Sequence, residues 1–300
     1  MRTYLSQFIP YSEDRRAYPY RVIYPMHLDC VNFAPITILY GNNGSGKSTL
    51  LNVIARNIGI KNMTLGNDNE YFDGYTKKCS SSISPEGIPE DSALIRSEDI
   101  MVKIARQRKL YAGIKNSILS KDILRGSGIS KSLVHKALKD PEAVSAKDYA
   151  LMSRFEDFRT AKLELENDDA TSNGEKALEY FEENLFDESL YLLDEPENSM
   201  APAFQQKLAK HIELLAYQLD TQFVIATHSP FLLSIDGARI YDLDSRPSRE
   251  KAWYELENMK AYYSLFKRFE DKFEIPRRGR AEVVTGAFSA KIQSESGKDL

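Results

Sequence analysis

An α/β fold with a mostly parallel sheet flanked by helices is predicted for this chain by three features of its sequence. Short apolar, β-prone runs alternate with segments of helical periodicity. One of those runs feeds a glycine-rich loop ending in Lys-Ser, and two later runs end in carboxylates or a histidine. Strands buried on both faces read as continuous apolar stretches and deliver the residues after them to the carboxyl edge of the sheet, where ligands bind in such folds.

The loop is Gly41-Asn42-Asn43-Gly44-Ser45-Gly46-Lys47-Ser48. The run at 35–40 precedes it, and Leu50, Leu51, Ile54, Ala55 and Ile58 follow at helical spacing. Strand, loop and helix in that order are the context a G-x-x-x-x-G-K-[ST] motif requires. Its glycines let successive backbone N–H groups converge on one point, and the helix N-terminus adds partial positive charge there. Asn42, Asn43, Gly44, Ser45, Gly46, Lys47, Ser48 and Thr49 are therefore the candidate phosphate ligands. Lys47 would reach the β- and γ-phosphates, and Ser48 would ligate Mg²⁺.

Residues 1–60 read as short strands leading into the loop, and 61–92, rich in Asn, Asp, Gly, Ser and Pro, as loops. Ala93-Leu94-Ile95 reads as a short strand. Residues 99–166 read as mostly helical with a break at Gly126-Ser127-Gly128. An amphipathic helix is expected over 175–188 through Ala177, Leu178, Phe181, Leu185 and Phe186. A strand at 190–193, a helix at about 202–217, and strands at 222–226 and 239–241 complete the pattern. This divides the chain into a main domain over 1–245 with a helical second lobe inserted at about 99–170, a helical extension over 246–275, and a flexible tail over 276–300.

Composition is that of a folded protein: 300 residues, 42% hydrophobic, formal net charge −4. That balance does not advertise nucleic acid, although within 101–166 basic residues outnumber acidic ones. Lys103, Arg106, Arg108, Lys109, Arg154 and Arg159 would there form either a phosphate-contacting surface or an ordinary solvated face. Two cysteines, Cys30 and Cys79, lie far apart and beside no partner ligands, so a reducing, cytoplasmic setting is expected. Apolar runs fall far short of a membrane span, and no membrane insertion is expected.

The run at 190–193 ends in Asp194-Glu195. Asp194 suits Mg²⁺ held through its water shell, and Glu195 suits the general base that orients and deprotonates an attacking water. The run at 222–226 ends in Thr227-His228-Ser229-Pro230. There a histidine can hydrogen-bond a γ-phosphate and that water. His27, His135 and His211 have no such setting. Thr171-Ser172-Asn173-Gly174-Glu175 opens the amphipathic helix, with Ser172 a good N-cap.

In order and spacing these blocks resemble the ATP-binding-cassette (ABC) ATPase heads of the P-loop NTPases. The Walker A loop stands at 41–48, a signature at Ser172-Asn173-Gly174-Glu175, Walker B at 190–195, a D-loop at 196–200, and a switch histidine at His228. Gly-Asn-Asn-Gly, Asp-Glu-Pro-Glu-Asn-Ser and Ala-Thr-His-Ser-Pro-Phe-Leu-Leu are similar to the soluble RecF, SMC and OLD-like (AAA_21-like) branch. The signature departs from the Leu-Ser-Gly-Gly-Gln of transporters. The resemblance covers roughly 20–245 and implies ATP and Mg²⁺ as ligands, with Glu195, His228 and Lys47 as the catalytic set. It also implies a homodimer in which Ser172 and Gly174 of one copy contact the γ-phosphate held by the other, so that hydrolysis acts as a switch.

The glutamine with which this family bridges Mg²⁺ and the second lobe has no clear counterpart. The alternatives are Ser97 or Asp99 as the substitute, Gln107 as the literal glutamine, or neither. Tyr18, Tyr20 and Tyr24 are unranked candidates for stacking on adenine. The 125 residues from Lys47 to Ser172 hold a helical lobe but no long coiled coil. Two biological readings follow from the resemblance. One is a soluble ATPase switch in DNA repair, nucleic-acid maintenance or anti-phage defence, partnered by a separate effector such as a nuclease or toxin. The other is the ATP-binding subunit of an ABC membrane transporter.

Overall fold

The computed structural model describes residues 2–60, 70–105, 145 and 172–273. They fall in two compact units, residues 1–253 and 254–300. The first holds two sheets. The larger is built from β3 (Ile36–Tyr40), β5 (Ala93–Arg96), β6 (Leu190–Asp194), β7 (Gln222–Thr227), β8 (Arg239–Asp242) and β9 (Arg249–Glu250), in the order β5-β6-β7-β3-β8-β9. All its pairings are parallel except β8 with β9. The smaller is antiparallel, with β1 (Leu5–Ile9) between β2 (Val31–Asn32) and β4 (Ser80–Ile83).

Every residue of β3, β6 and β7 is buried, which is why these strands read as unbroken apolar runs. Register then does the positioning. Arg96 lies opposite Asp194, Asp194 opposite Ala226, and Tyr40 opposite both Thr227 and Asp242, so the strands end level at one edge. The two sheets meet through Gln222. Its buried amide accepts from the Leu5 N–H at 2.9 Å and donates to the Leu5 and Ala34 carbonyls at 2.8 and 3.2 Å, standing in for a strand partner.

Helix α1 (Tyr20–Ile23) precedes β2, and α2 (Lys47–Asn57) follows β3 directly. Leu50, Leu51, Val53, Ile54 and Ala55 of α2 sit in the main core with Phe8, Met26, Leu192 and Val224. Short α3 (Glu70–Thr76) and β4 occupy the stretch expected to be loop. Tertiary packing overrides the polar composition there: Phe72 and Tyr75 are core residues, and β4 takes its register from β1. Helix α4 (97–105) continues from β5, and the rest of the expected helical lobe lies outside the described residues.

Helix α5 (Asn173–Asn184) ends short of the expected 188. Leu185 is extended, the Phe186 N–H donates to the Tyr191 hydroxyl at 2.9 Å, and Glu188 has φ 48°, so the chain turns into β6 and leaves Phe186 exposed. Helix α6 (Pro202–Gln218) starts with a proline in its first turn and buries Leu208, Ile212 and Leu215. A one-turn helix, α7 (Pro230–Leu233), follows β7. The sheet continues past residue 245 with β9. The second unit contains α8 (Glu257–Arg268) and α9 (Glu270–Phe273), and the expected tail falls outside the described residues. Among the described residues no helix is long and apolar enough to cross a membrane. Cys30 and Cys79 are both free.

Candidate functional site

Gly46 opens α2 with φ 96°, and a side chain there would run into Met26 and Val22. Glycine is thus demanded twice, by conformation and by close approach. Asn42, Asn43 and Gly44 are exposed, whereas Ser45 is buried and its Oγ has no partner among the described residues. The loop is pinned at its start by Asp244, whose Oδ2 accepts from the Asn42 N–H at 2.8 Å. Lys47 is buried; its Nζ donates to the Gly41 and Asn42 carbonyls at 2.8 and 3.3 Å and lies 3.6 Å from Glu195 Oε1.

Ser48 Oγ donates to Asp194 Oδ1 at 2.9 Å across 146 positions of sequence. Burial pushes the Asp194 carboxyl up to about 6. The Ser48 hydrogen bond opposes that, neighbouring Glu195 adds to it, and Arg96 and Lys47 oppose it. Glu195 has φ 48°, and its N–H donates to the Ala226 carbonyl at 2.8 Å. That left-handed turn ends β6 abruptly and holds the carboxylate beside Lys47. Asn198 Nδ2 donates to both Glu195 Oε2 and Ser97 Oγ, at 3.0 and 3.1 Å.

These groups border a cleft of about 310 Å³ lined by Tyr18, Ser48, Thr49, Asn52, Arg96, Ser97, Glu98, Asp194, Glu195 and Asn198. Of the stand-ins for the absent glutamine, Ser97 reaches the cleft, Asp99 does not, and Gln107 lies outside the described residues. Of the tyrosines, Tyr18 reaches it. Its hydroxyl is 3.5 Å from Thr49 Oγ1, and its ring stacks on Phe72. Tyr20 is instead a core residue, edge-on to Tyr75 with centroids 4.7 Å apart, and Tyr24 is tilted against His27.

Sequence reasoning passed over Asn52, Arg96, Glu98 and Asn198. Asn52 stands one turn after Ser48 on α2, a spacing that was available as a signal. It accepts from Arg96 Nη2, at the residue opposite Asp194 in register. Asn198 follows the Walker B carboxylates by only a few positions, and only the reverse turn at 195–199 brings it back onto Glu195.

His228 does not line the cleft. It is joined to the same centre through Glu197, whose Oε1 accepts from the His228 N–H at 3.0 Å. Ser172 is exposed and caps α5, accepting from the Glu175 N–H at 3.2 Å. Gly174 is buried; a Cβ on it would stand 2.6 Å from the Ser199 carbonyl oxygen and 3.1 Å from Met200 Cα. The start of α5 and residues 199–200, expected as signature and D-loop, therefore pack against each other within one chain. Among the basic residues, Lys103 lies over the Tyr180 ring at 4.8 Å; Arg106, Arg108, Lys109, Arg154 and Arg159 lie outside the described residues.

The residues fit a magnesium triphosphate. Oxygen donors of a serine and a buried carboxylate meet at one point, which suits a hard cation, and a buried ammonium and an unpartnered Ser45 hydroxyl sit behind the loop.

A family described as "AAA domain, putative AbiEii toxin, Type IV TA system" matches residues 102–234. Similar solved structures include an Smc head domain from Pyrococcus furiosus bound to the C-terminal domain of ScpA (15% identity, TM-score 0.39, 88% of this chain and 99% of that one). Another bears the description "An inward-facing conformation of a putative metal-chelate type ABC transporter" (16%, 0.39, 88% and 90%). A third is the SMC head domain from Thermotoga maritima (12%, 0.37, 83% and 99%). No curated protein matches the chain significantly.

Proposed function

From the premise of a P-loop ATPase of the RecF/SMC/ABC-like branch, we propose that this chain binds and hydrolyses ATP and works as a nucleotide-gated dimerisation switch. The observation that carries the reading is the Ser48–Asp194 hydrogen bond at 2.9 Å, which joins the two motif blocks on the side where Lys47 faces Glu195.

The loop amides of residues 44–49 and Lys47 would bind the phosphates, and Ser48, with Asp194 through water, would hold Mg²⁺; Ser97 stands on the wall of the same cleft. The cation supplies charge neutralisation on the phosphate oxygens. Glu195 orients water and takes its proton at a carboxylate oxygen, Asn198 holding that carboxylate from the other side. With substrate bound, Lys47 exchanges its backbone carbonyl partners for phosphate oxygens, and this loosens its tie to Glu195. His228, at the end of β7 and outside the lining of the cleft, would meet the γ-phosphate with the exposed side of its ring.

Ser172, exposed at the start of α5, supplies the second half of the site to a twin copy, where the helix N-terminus is suited to a phosphate. Gly174, expected to join it there, is buried against residues 199–200 of its own chain and seats that turn instead. A defence setting is the biological reading we favour, because the description of the matching family names a type IV toxin–antitoxin system; the cytoplasmic location and the separate effector chain are parts of the same proposal.

Glu195→Gln is the test. It is expected to retain ATP, to lower kcat by about 100-fold or more, and to shift the protein to a dimer on gel filtration with ATP. Undiminished turnover would remove Glu195 as the base, and a monomer under all conditions would remove the dimer.

A further inference from the structure

We propose that Glu197 is a positioning residue for His228. Its buried carboxylate fixes the backbone that carries the imidazole and receives the Nδ1–H, so that the ring meets the nucleotide through Nε2. The inference rests on the hydrolytic reading above and deepens it at the same site.

A carboxylate on a loop between a strand and a helix is ordinarily solvated, because burying the charge is costly unless hydrogen bonds replace the water. Glu197 is only 5% exposed. Its Oε1 accepts from Thr227 Oγ1 at 2.5 Å and from the backbone N–H groups of His228 and Ser229 at 3.0 and 3.2 Å. All three donors belong to the segment where β7 leaves the sheet and loses its ladder partners. One carboxylate oxygen takes over that ladder and sets the direction in which His228 departs.

The second oxygen is the informative one. Glu197 Oε2 is buried without a partner, and so is His228 Nδ1. The two orphans belong to neighbouring side chains, with Nδ1 3.6 Å from Oε1. A small rotation of the ring brings an Nδ1–H onto the carboxylate, satisfying an acceptor and a donor together. The rest of the imidazole is open, since the side chain is 43% exposed while Nδ1 is covered. A histidine held at one nitrogen and free at the other has its tautomer chosen for it.

The same turn holds the base. Asn198, the next residue, donates to Glu195 Oε2. Ser229 Oγ donates to Gln205 Oε1 at 2.7 Å, and Gln205 Nε2 donates to the Met200 carbonyl at 2.9 Å. Residues 227–229 are thus tied to residues 197–200 at both ends, and the proposed base and sensor share one support.

A purely structural clamp would need Oε1 alone, and a glutamine amide oxygen could supply it. Glu197→Gln keeps one oxygen, which already accepts from Thr227 Oγ1 and the N–H groups of His228 and Ser229, and places an NH₂ donor where Oε2 stands, so no free acceptor remains for Nδ1–H. Long-range ¹H–¹⁵N correlation of the four histidines, with His228 assigned by its loss in His228→Ala, is the first measurement. The Nδ1–H tautomer is expected in the native protein, and the Nε2–H tautomer in Glu197→Gln.

Steady-state ATPase is the second. Glu197→Gln is expected to lower kcat about tenfold with KM within about twofold, and to cost less than about twofold in a His228→Ala background. An Nε2–H tautomer in the native protein, or an equal cost in both backgrounds, overturns the proposal. A native protein without ATPase activity overturns the hydrolytic reading instead, and the native tautomer still decides the role of Glu197, as it does if the glutamine variant fails to fold.

Discussion

The carboxyl edge of the sheet and the N-terminus of α5 carry equally recognisable motifs, yet they are built in opposite ways. At the sheet edge the groups around the cleft answer one another within the chain. Ser48 meets Asp194, Asn198 meets Glu195, Lys47 meets two loop carbonyls, and Asp244 pins Asn42. At the start of α5, Ser172 faces solvent and its oxygen answers only its own helix. One region is internally cross-linked, and in the other Ser172 is exposed. That asymmetry is what a composite site shared between two chains would look like in either chain alone.

The largest test of the contrast is Lys47→Ala. It removes a buried ammonium behind the loop and is expected to weaken ATP binding by about 100-fold, as for a desolvated charge pair lost from a phosphate site. Fluorescence titration with an ATP analogue reads it. Unchanged affinity would mean that the loop cradles something other than phosphate.

Gly174→Ala sits between the two regions. The new Cβ would meet the Ser199 carbonyl at 2.6 Å, and backbone cannot yield as a flexible side chain can. An overpacking cost of about 1–3 kcal/mol is expected, seen as a Tm lower by several degrees. Because the displaced backbone belongs to the D-loop, turnover should fall with it. An unaltered Tm would show that α5 is not seated on residues 199–200.

Ser172→Ala has the smallest expected effect on the isolated fold, about 1 kcal/mol for a lost N-cap. Its effect on ATPase should be several-fold larger than that cost explains, and should appear only at concentrations where dimers form. A loss accounted for by melting alone would reduce Ser172 to a cap and break the comparison.

How much of this was legible in advance differs by element. The loop at 41–48, the carboxylates after β6 and the histidine after β7 were readable because buried parallel strands are continuous apolar runs and register carries their ends to a common level. Helix α3 and β4 were not, because their polar composition conceals two core aromatics and a pairing with a strand about 75 positions away. The end of α5 was misplaced because Phe186 continues the helical period while the turn into β6 breaks it.

What the sequence determined by itself was the chemistry: which side chains can hold phosphate and a cation, and at which strand ends they stand. Local spacing and apolar periodicity suffice for that. The tertiary structure alone decided which candidates converge. It chose Ser97 over Asp99 and Tyr18 over Tyr20 for the cleft, and it brought Asn198 back onto Glu195 and Glu197 under His228. Those choices depend on left-handed turns at Glu195 and Ser199 and on registers between strands remote in sequence. Such features are set by packing across the whole sheet, and no window of neighbouring residues contains them.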